Sequence, residues 1–173
     1  LLVSARVTFK MPYENNKLIA SIEDLNTSLS HLKKIGKSIV FTNGCFDIIH
    51  PGHIHLLTSA ASKGDVLVVG LNSDQSIKNF KSKNRPICPQ YDRALVVGAL
   101  SCVDFIIIFD QDTPEELIKK IEPDVLVKGS DYNNKFIAGA DFMLEKKKRV
   151  ELVNLLEHQS TTDIISRIKK QES

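Results

Sequence analysis

Thr42-Asn43-Gly44-Cys45-Phe46-Asp47-Ile48-Ile49-His50-Pro51-Gly52-His53 is the stretch that decides how this chain folds. It follows the apolar run Ser38-Ile39-Val40-Phe41, which reads as a short buried strand, and it leads into a helical pattern that starts near Gly52. Two imidazoles three residues apart therefore sit where a strand hands over to a helix. In an open α/β sheet that is the ligand-binding edge, and a helix N-terminus there offers unpaired N–H groups and a positive dipole end. Gly44 and the neighbouring amides let the backbone approach phosphates with no side chain intervening. The stretch predicts an edge suited to a polyphosphate.

Outward from it, strands and helices alternate. The strands are expected at 38–42, 65–71, 104–109, 124–128 and 150–155. Helices are expected at 21–35, 52–63, 73–80, 90–100, 113–121 and 161–170, the first opened by Ser21 and Asp24 as a capping box and ended by Gly36. Val66-Leu67-Val68-Val69 and Phe105-Ile106-Ile107-Ile108 are apolar without alternation, the mark of parallel strands covered on both faces. The expectation is an α/β fold with a doubly wound, mostly five-stranded parallel sheet. Residues 21–173 are expected to form a single domain behind an N-terminal tail at 1–20, with Met11 a candidate natural start.

Composition narrows the function classes. A net charge of +2 over 173 residues gives no basic field for nucleic acid, and no partner of that kind is expected. No apolar run approaches bilayer length and the first residues lack the form of a secretory signal, so neither a membrane nor export is expected. Cys45, Cys88 and Cys102 form no C-x-x-C pair and are odd in number, which fits a reduced cytoplasm. A zinc site would need His55 as a third ligand beside His50 and His53, but two positions along a helix it points elsewhere, and no metal ligands are expected. Gly36-Lys37-Ser38 lacks the leading glycine of a P-loop and precedes a strand instead of following one, and no G-x-G-x-x-G occurs.

Three further segments carry polar chemistry beside a bland reading. Lys78 to Pro86 reads as a solvated basic loop or as a flap over a nucleotide. Val127-Lys128-Gly129-Ser130-Asp131-Tyr132 reads as a compact turn, yet it ends a strand at the same edge as His50. Ser160-Thr161-Thr162 caps the last helix, and such hydroxyl-dressed helix starts also seat phosphates.

The H-x-G-H signature after T-x-G-x-F-D resembles the cytidylyltransferase-like nucleotidyltransferases, and the wording of residues 42–53 is most similar to the heptose-1-phosphate adenylyltransferases. The resemblance implies a Rossmann-like nucleotidyltransferase fold, ATP as substrate with Mg²⁺, a sugar 1-phosphate acceptor and a homodimer. It assigns His50 and His53 to phosphate contacts during in-line attack on the α-phosphate. It assigns Lys81, ahead of Lys78 and Lys83, to the triphosphate. Thr42, Asn43, Gly44, Cys45, Phe46 and Asp47 then frame the nucleotide site, with Arg93 holding part of it. Lys128, Gly129 and Asp131 would bind nucleotide or sugar phosphate, and Ser160, Thr161 and Thr162 would meet the triphosphate. The K-G-x-D-Y wording is similar to the heptose-type enzymes and unlike the G-D-D-W of glycerol-phosphate cytidylyltransferases. A cytidylyltransferase for glycerol 3-phosphate or phosphoethanolamine is the enzyme alternative, and a non-catalytic nucleotide-binding domain is the other. The sugar-kinase half joined to this domain in some bifunctional proteins is not present in the sequence, so a separate kinase is expected to supply the acceptor.

Overall fold

The computed structural model describes residues 16–81, 84–130, 137–154, 156 and 159–171. Six strands form one sheet: β1 (Leu18–Ile19), β2 (Ile39–Gly44), β3 (Val66–Asn72), β4 (Phe105–Phe109), β5 (Val125–Gly129) and β6 (Arg149–Val153). Their order is β1-β4-β3-β2-β5-β6, and every pairing is parallel. The helices are α1 (Ile22–Lys34), α2 (Pro51–Ala61), α3 (Asp74–Phe80), α4 (Gln90–Gly98), α5 (Glu115–Ile121), α6 (Ala140–Glu145) and α7 (Thr161–Gln171).

Among the described residues the sheet has six strands, not five. The added strand, β1, spans only 2 residues and pairs Leu18 with Ile106, too short a segment to carry a periodic pattern. It lies inside the stretch expected as a tail, so the end of that stretch belongs to the sheet. Helix α6 was also not anticipated; its 6 residues span less than two turns, and among them only Met143 is buried.

Strand parity explains the two layers. Val40, Leu67, Val69, Leu71, Ile106, Val125 and Val127 face one side and pack with Leu57 and Ala60 of α2 and Ala94 and Val97 of α4. Ile39, Phe41, Val66, Val68, Ile107 and Leu126 face the other and pack with α1, α5 and Met143 of α6. Gly70 is needed in the centre, because a Cβ there would stand 2.7 Å from the ring of Phe41 on the neighbouring strand.

The N-terminal edge of the sheet is closed by aspartates placed just before the strands. Asp65 accepts the Ser38 N–H at 2.9 Å, Asp104 accepts that of Leu67 at 2.8 Å and Asp124 accepts that of Ile39 at 2.8 Å. Each carboxylate takes an N–H near the start of an adjacent strand, at Ser38 just before β2, at Ile39 its first residue and at Leu67 the second residue of β3. The amide of Ser38, its hydroxyl and Lys37 hold the Asp65 carboxyl down at about 2.

The chain runs β2, β3, β4 in one direction across the sheet, then crosses back to place β5 on the other side of β2. The reversal leaves a crevice beyond the C-terminal ends of β2 and β5, where open α/β sheets bind ligands.

Candidate active site at the sheet's C-terminal edge

A cavity of about 410 Å³ fills that crevice. Asn43, Gly44, Cys45 and Phe46 line it from the end of β2, Asn72 from β3, and Lys128 and Gly129 from β5. His53 and Leu56 of α2, Phe80 and Lys81 at the end of α3, Arg85, the turn Asp112-Thr113-Pro114, Ala138 and Thr161 complete the wall.

Helix α2 starts with His50 as its N-cap and Pro51 as its first residue, a position where the missing proline N–H costs nothing. His50 gives no side-chain cap bond. Its ring instead stacks on His53, with centroids 3.7 Å apart and planes 25° from parallel, and Phe46 tilts against His53 at 5.2 Å. Gly52 permits this stack: a Cβ there would meet the Cε1 of His50 at 3.0 Å and the carbonyl oxygen of Gln159 at 3.0 Å. The Nδ1 atoms of both histidines and the hydroxyl of Thr42 are buried with no hydrogen-bond partner among the described residues. Burial lowers the proton affinity of both rings, and for His53 the neighbouring His50 adds to it, bringing that group to about 4. The pair is neutral near pH 7.

The β2–α2 connection is over-determined. Phe46 and Ile48 adopt left-handed backbone at φ 48° and 54°, a conformation costing about 1 kcal/mol or more for a residue with a Cβ. Between them, the buried Asp47 carboxylate accepts from Arg85 Nε at 2.8 Å and from the amides of Ile87 and Cys88, each at 2.9 Å. Burial works to raise this carboxyl, and the bonds from Cys88, Ile87 and Arg85 overcome it, so the group sits below the ordinary range. The carbonyl of Asp47 accepts from the Thr161 hydroxyl at 2.6 Å, which ties the loop to the start of α7.

The structure sorts the residues singled out in the sequence. Asn43, Gly44, Cys45, Phe46, His53, Lys81, Lys128, Gly129 and Thr161 all line the cavity. Lys128 Nζ bonds Asn43 Oδ1, joining the ends of β5 and β2. Burial pushes the Cys45 thiol up, so it stays protonated at neutral pH. Several others stand off the cavity wall. Thr42 and Asp47 are buried in the loop's support. Arg93, 2 % exposed, spends its guanidinium on Cys88 O, Cys45 O and Asp74 at 2.9, 2.5 and 2.7 Å, and so clamps the site from within. Ser160 caps α7, accepting the Asp163 N–H at 3.1 Å and donating to its carboxylate at 2.6 Å, and Thr162 is exposed beside it. Lys78 is absent from the cavity lining, whereas Asp131 and Lys83 fall outside the described residues. His50 and His55 border a shallow apolar surface with Ile49, Pro51 and Ile54.

Arg85, Asn72 and the Asp112–Pro114 turn were not anticipated as wall residues. Arg85 stood inside a basic run where one cation could not be told from another; its proline neighbour was the only local signal of a fixed backbone.

An open parallel sheet with a neutral histidine stack and several cations at its switch point is the build of a nucleotide-binding α/β protein. The chain belongs to the cytidylyltransferase-like family, whose model matches residues 41–169. It is 48% identical over 160 residues to the bifunctional protein HldE of Nitratiruptor sp., covering 92% of this chain and 33% of that protein. To HldE of Campylobacter concisus it is 53% identical over 151 residues, covering 87% and 31%. The chain thus spans about a third of the length of these curated relatives. Among solved structures, the lipopolysaccharide core biosynthesis protein of Thermoplasma volcanium is similar, with a TM-score of 0.57 at 28% identity, covering 70% of this chain and 98% of that one. Pantothenate synthetase of Thermus thermophilus, at 15% identity and a TM-score of 0.52 over 80% of this chain and 61% of its own, shares the fold.

Proposed function

We propose that this chain is an adenylyltransferase that joins AMP from ATP to D-glycero-β-D-manno-heptose 1-phosphate, giving ADP-heptose and pyrophosphate. The observation that carries the reading is the stacked His50–His53 pair, neutral and unpartnered at Nδ1, at the switch point of a cytidylyltransferase-like sheet. The choice of acceptor rests on the wording of residues 42–53 and 127–132, with support from the Thermoplasma structure's description as a lipopolysaccharide core biosynthesis protein.

In this mechanism an oxygen of the sugar phosphate attacks the α-phosphorus in line. The new P–O bond forms as the bond to the β-phosphate oxygen breaks, and pyrophosphate leaves with that electron pair. The acceptor phosphate is already ionised near neutral pH, so no strong general base is required. Catalysis is then positioning and charge stabilisation. His53 presents an N–H to the phosphate oxygens, with His50 stacked on it as the second donor. Lys81 and Lys128 supply positive charge, and the amides after Gly44 and the start of α7 at Thr161 cradle the remaining oxygens. Neutral imidazoles suit the task, because the stacked pair would repel itself if both rings carried a proton.

Mg²⁺ enters as part of the ATP substrate. The donor set fits a cation carried on phosphates: Asp112 is the carboxylate among the described wall residues, and no group of three His, Cys, Asp or Glu among them could hold an ion alone. No helix among the described residues is long and apolar enough to cross a membrane. A cytoplasmic location and a homodimer are part of the proposal on the family resemblance and the free cysteines alone.

The test is pyrophosphate release with Mg²⁺, crossing ATP and CTP against heptose 1-phosphate and glycerol 3-phosphate. Release with ATP and heptose 1-phosphate alone is expected. Release with CTP would overturn the substrate assignment and keep the chemistry. Tight ATP binding with no release in any combination would point to a non-catalytic nucleotide-binding domain.

A further inference from the structure

Arg85 is largely buried, yet it spends only one edge of its guanidinium on the protein. Its side chain is about one-tenth exposed, and its Nε meets Asp47 Oδ2 at 2.8 Å. That carboxylate already takes the amides of Ile87 and Cys88, so the guanidinium shares it with two backbone donors. The contact is single and end-on, whereas a guanidinium offers five N–H groups in a planar fork. Neither Nη nitrogen has a partner among the described residues. Arg85 is not among the residues with a buried, unpartnered side-chain atom, so its Nη edge stays open to the cavity and is not sealed in the core.

Arg85 also lines the 410 Å³ cavity, beside Lys81, Lys128 and His53. Among the described wall residues the three cations Lys81, Arg85 and Lys128 accompany one carboxylate, Asp112, and that one accepts the Asn79 side-chain amide at 2.8 Å. The excess of positive charge lies in a partly enclosed space, where it is screened less than on an open surface. The cations differ in kind. A lysine is a flexible point charge, whereas a guanidinium anchored through Nε presents a preset pair of Nη donors matched to two oxygens of a phosphate.

We propose that Arg85, aimed by Asp47, is a fixed phosphate-binding residue of this cavity. Arg85 contacts the substrate's phosphoryl oxygens through its Nη edge, and Asp47 is the positioning residue that sets the angle of that edge. The inference rests on the nucleotidyltransferase reading for the identity of the phosphate, which belongs either to the nucleotide or to the acceptor.

The test uses the full chain, with Arg85→Lys, Arg85→Gln and Asp47→Asn, and reads four quantities. These are the Kd for MgATP, the Kd for inorganic pyrophosphate, the KM for heptose 1-phosphate and the thermal midpoint. Arg85→Lys keeps a cation for Asp47 and should fold. It is expected to weaken one phosphate ligand by about 10-fold or more, the scale of a lost charge-assisted pair. Weaker MgATP and pyrophosphate binding assigns Arg85 to the triphosphate. A raised acceptor KM with MgATP unchanged assigns it to the acceptor. Asp47→Asn should weaken the same ligand less, and should add nothing in the Arg85→Gln background. If Arg85→Lys and Arg85→Gln bind every phosphate ligand within about twofold of wild type while the midpoint falls, Arg85 is only a structural tie and the proposal is overturned. If wild type binds pyrophosphate but not ATP, the nucleotide reading fails while the Arg85 comparison still decides this one. Wild type that binds no phosphate ligand would overturn both.

Discussion

The two edges of the sheet treat polar atoms in opposite ways. At the N-terminal edge, Asp65, Asp104 and Asp124 each take an N–H near the start of a neighbouring strand, at 2.8–2.9 Å. At the C-terminal edge, Thr42, His50 and His53 keep buried polar atoms without partners among the described residues, and two non-glycine residues hold left-handed backbone. Buried groups left unmade cost free energy, so the second edge is less stable than the same chain could make it. Of these three residues, His53 is also part of the cavity wall, so the unmade bonds cluster beside the crevice.

The largest expected break in this contrast is His53→Ala. Turnover should fall by about 10²- to 10³-fold, the scale of removing one preorganised donor, while the thermal midpoint scarcely moves because a buried polar group is removed with the ring. Steady-state kinetics beside a thermal melt checks it, and near-normal turnover would sink the role given to the pair.

Next comes acid. The folded chain holds His53 near 4 while the unfolded chain protonates it below about 6.5, so the unfolded state binds more protons between those values. Stability is full above pH 6.5, falls as the pH drops toward 4, and is flat below that from this group. Between pH 7 and pH 5 the loss should be no more than about 2 kcal/mol, and His53→Gln should lessen it. Denaturant melts at several pH values read this directly; an equal slope in both proteins would contradict it.

Gly52→Ala should be milder. The new methyl presses on His50 and on the Gln159 carbonyl, so the stack shifts and turnover drops by about tenfold with the fold retained. Smallest is Asp124→Ala at the closed edge: about 1 kcal/mol of stability lost through the orphaned Ile39 amide, and turnover unchanged in the remaining folded protein.

What the sequence could and could not disclose follows the same division. The continuous apolar strands and the T-x-G-x-F-D-x-x-H-x-G-H stretch placed the parallel sheet and its working edge, because both are written in contiguous residues. Helix α1 is readable from Ser21 and Asp24: the Ser21 hydroxyl accepts the Asp24 backbone N–H at 3.1 Å and donates to the Asp24 carboxylate at 2.7 Å. The two-residue β1 had no period to read and depends on β4 for its pairing. The resemblance singles out Arg93 for the site, and Arg85 stands in the basic loop with no role of its own. Only tertiary contact shows Arg85 aimed at the cavity and Arg93 consumed by Cys45, Cys88 and Asp74. Asp47 read as a ligand contact, and its oxygens prove to be occupied by Arg85 and two amides 40 and 41 residues away in sequence.

The central claim is that the open edge is completed by MgATP. The most direct measurement is a residue-resolved NMR titration of the backbone amides with MgATP. Saturable shifts are expected at Gly44, Cys45, Phe46, His53, Lys81 and Thr161, and none at Ser38, Leu67 or Ile39 on the closed edge. Shifts confined to the closed edge, or none anywhere at millimolar MgATP, would contradict it.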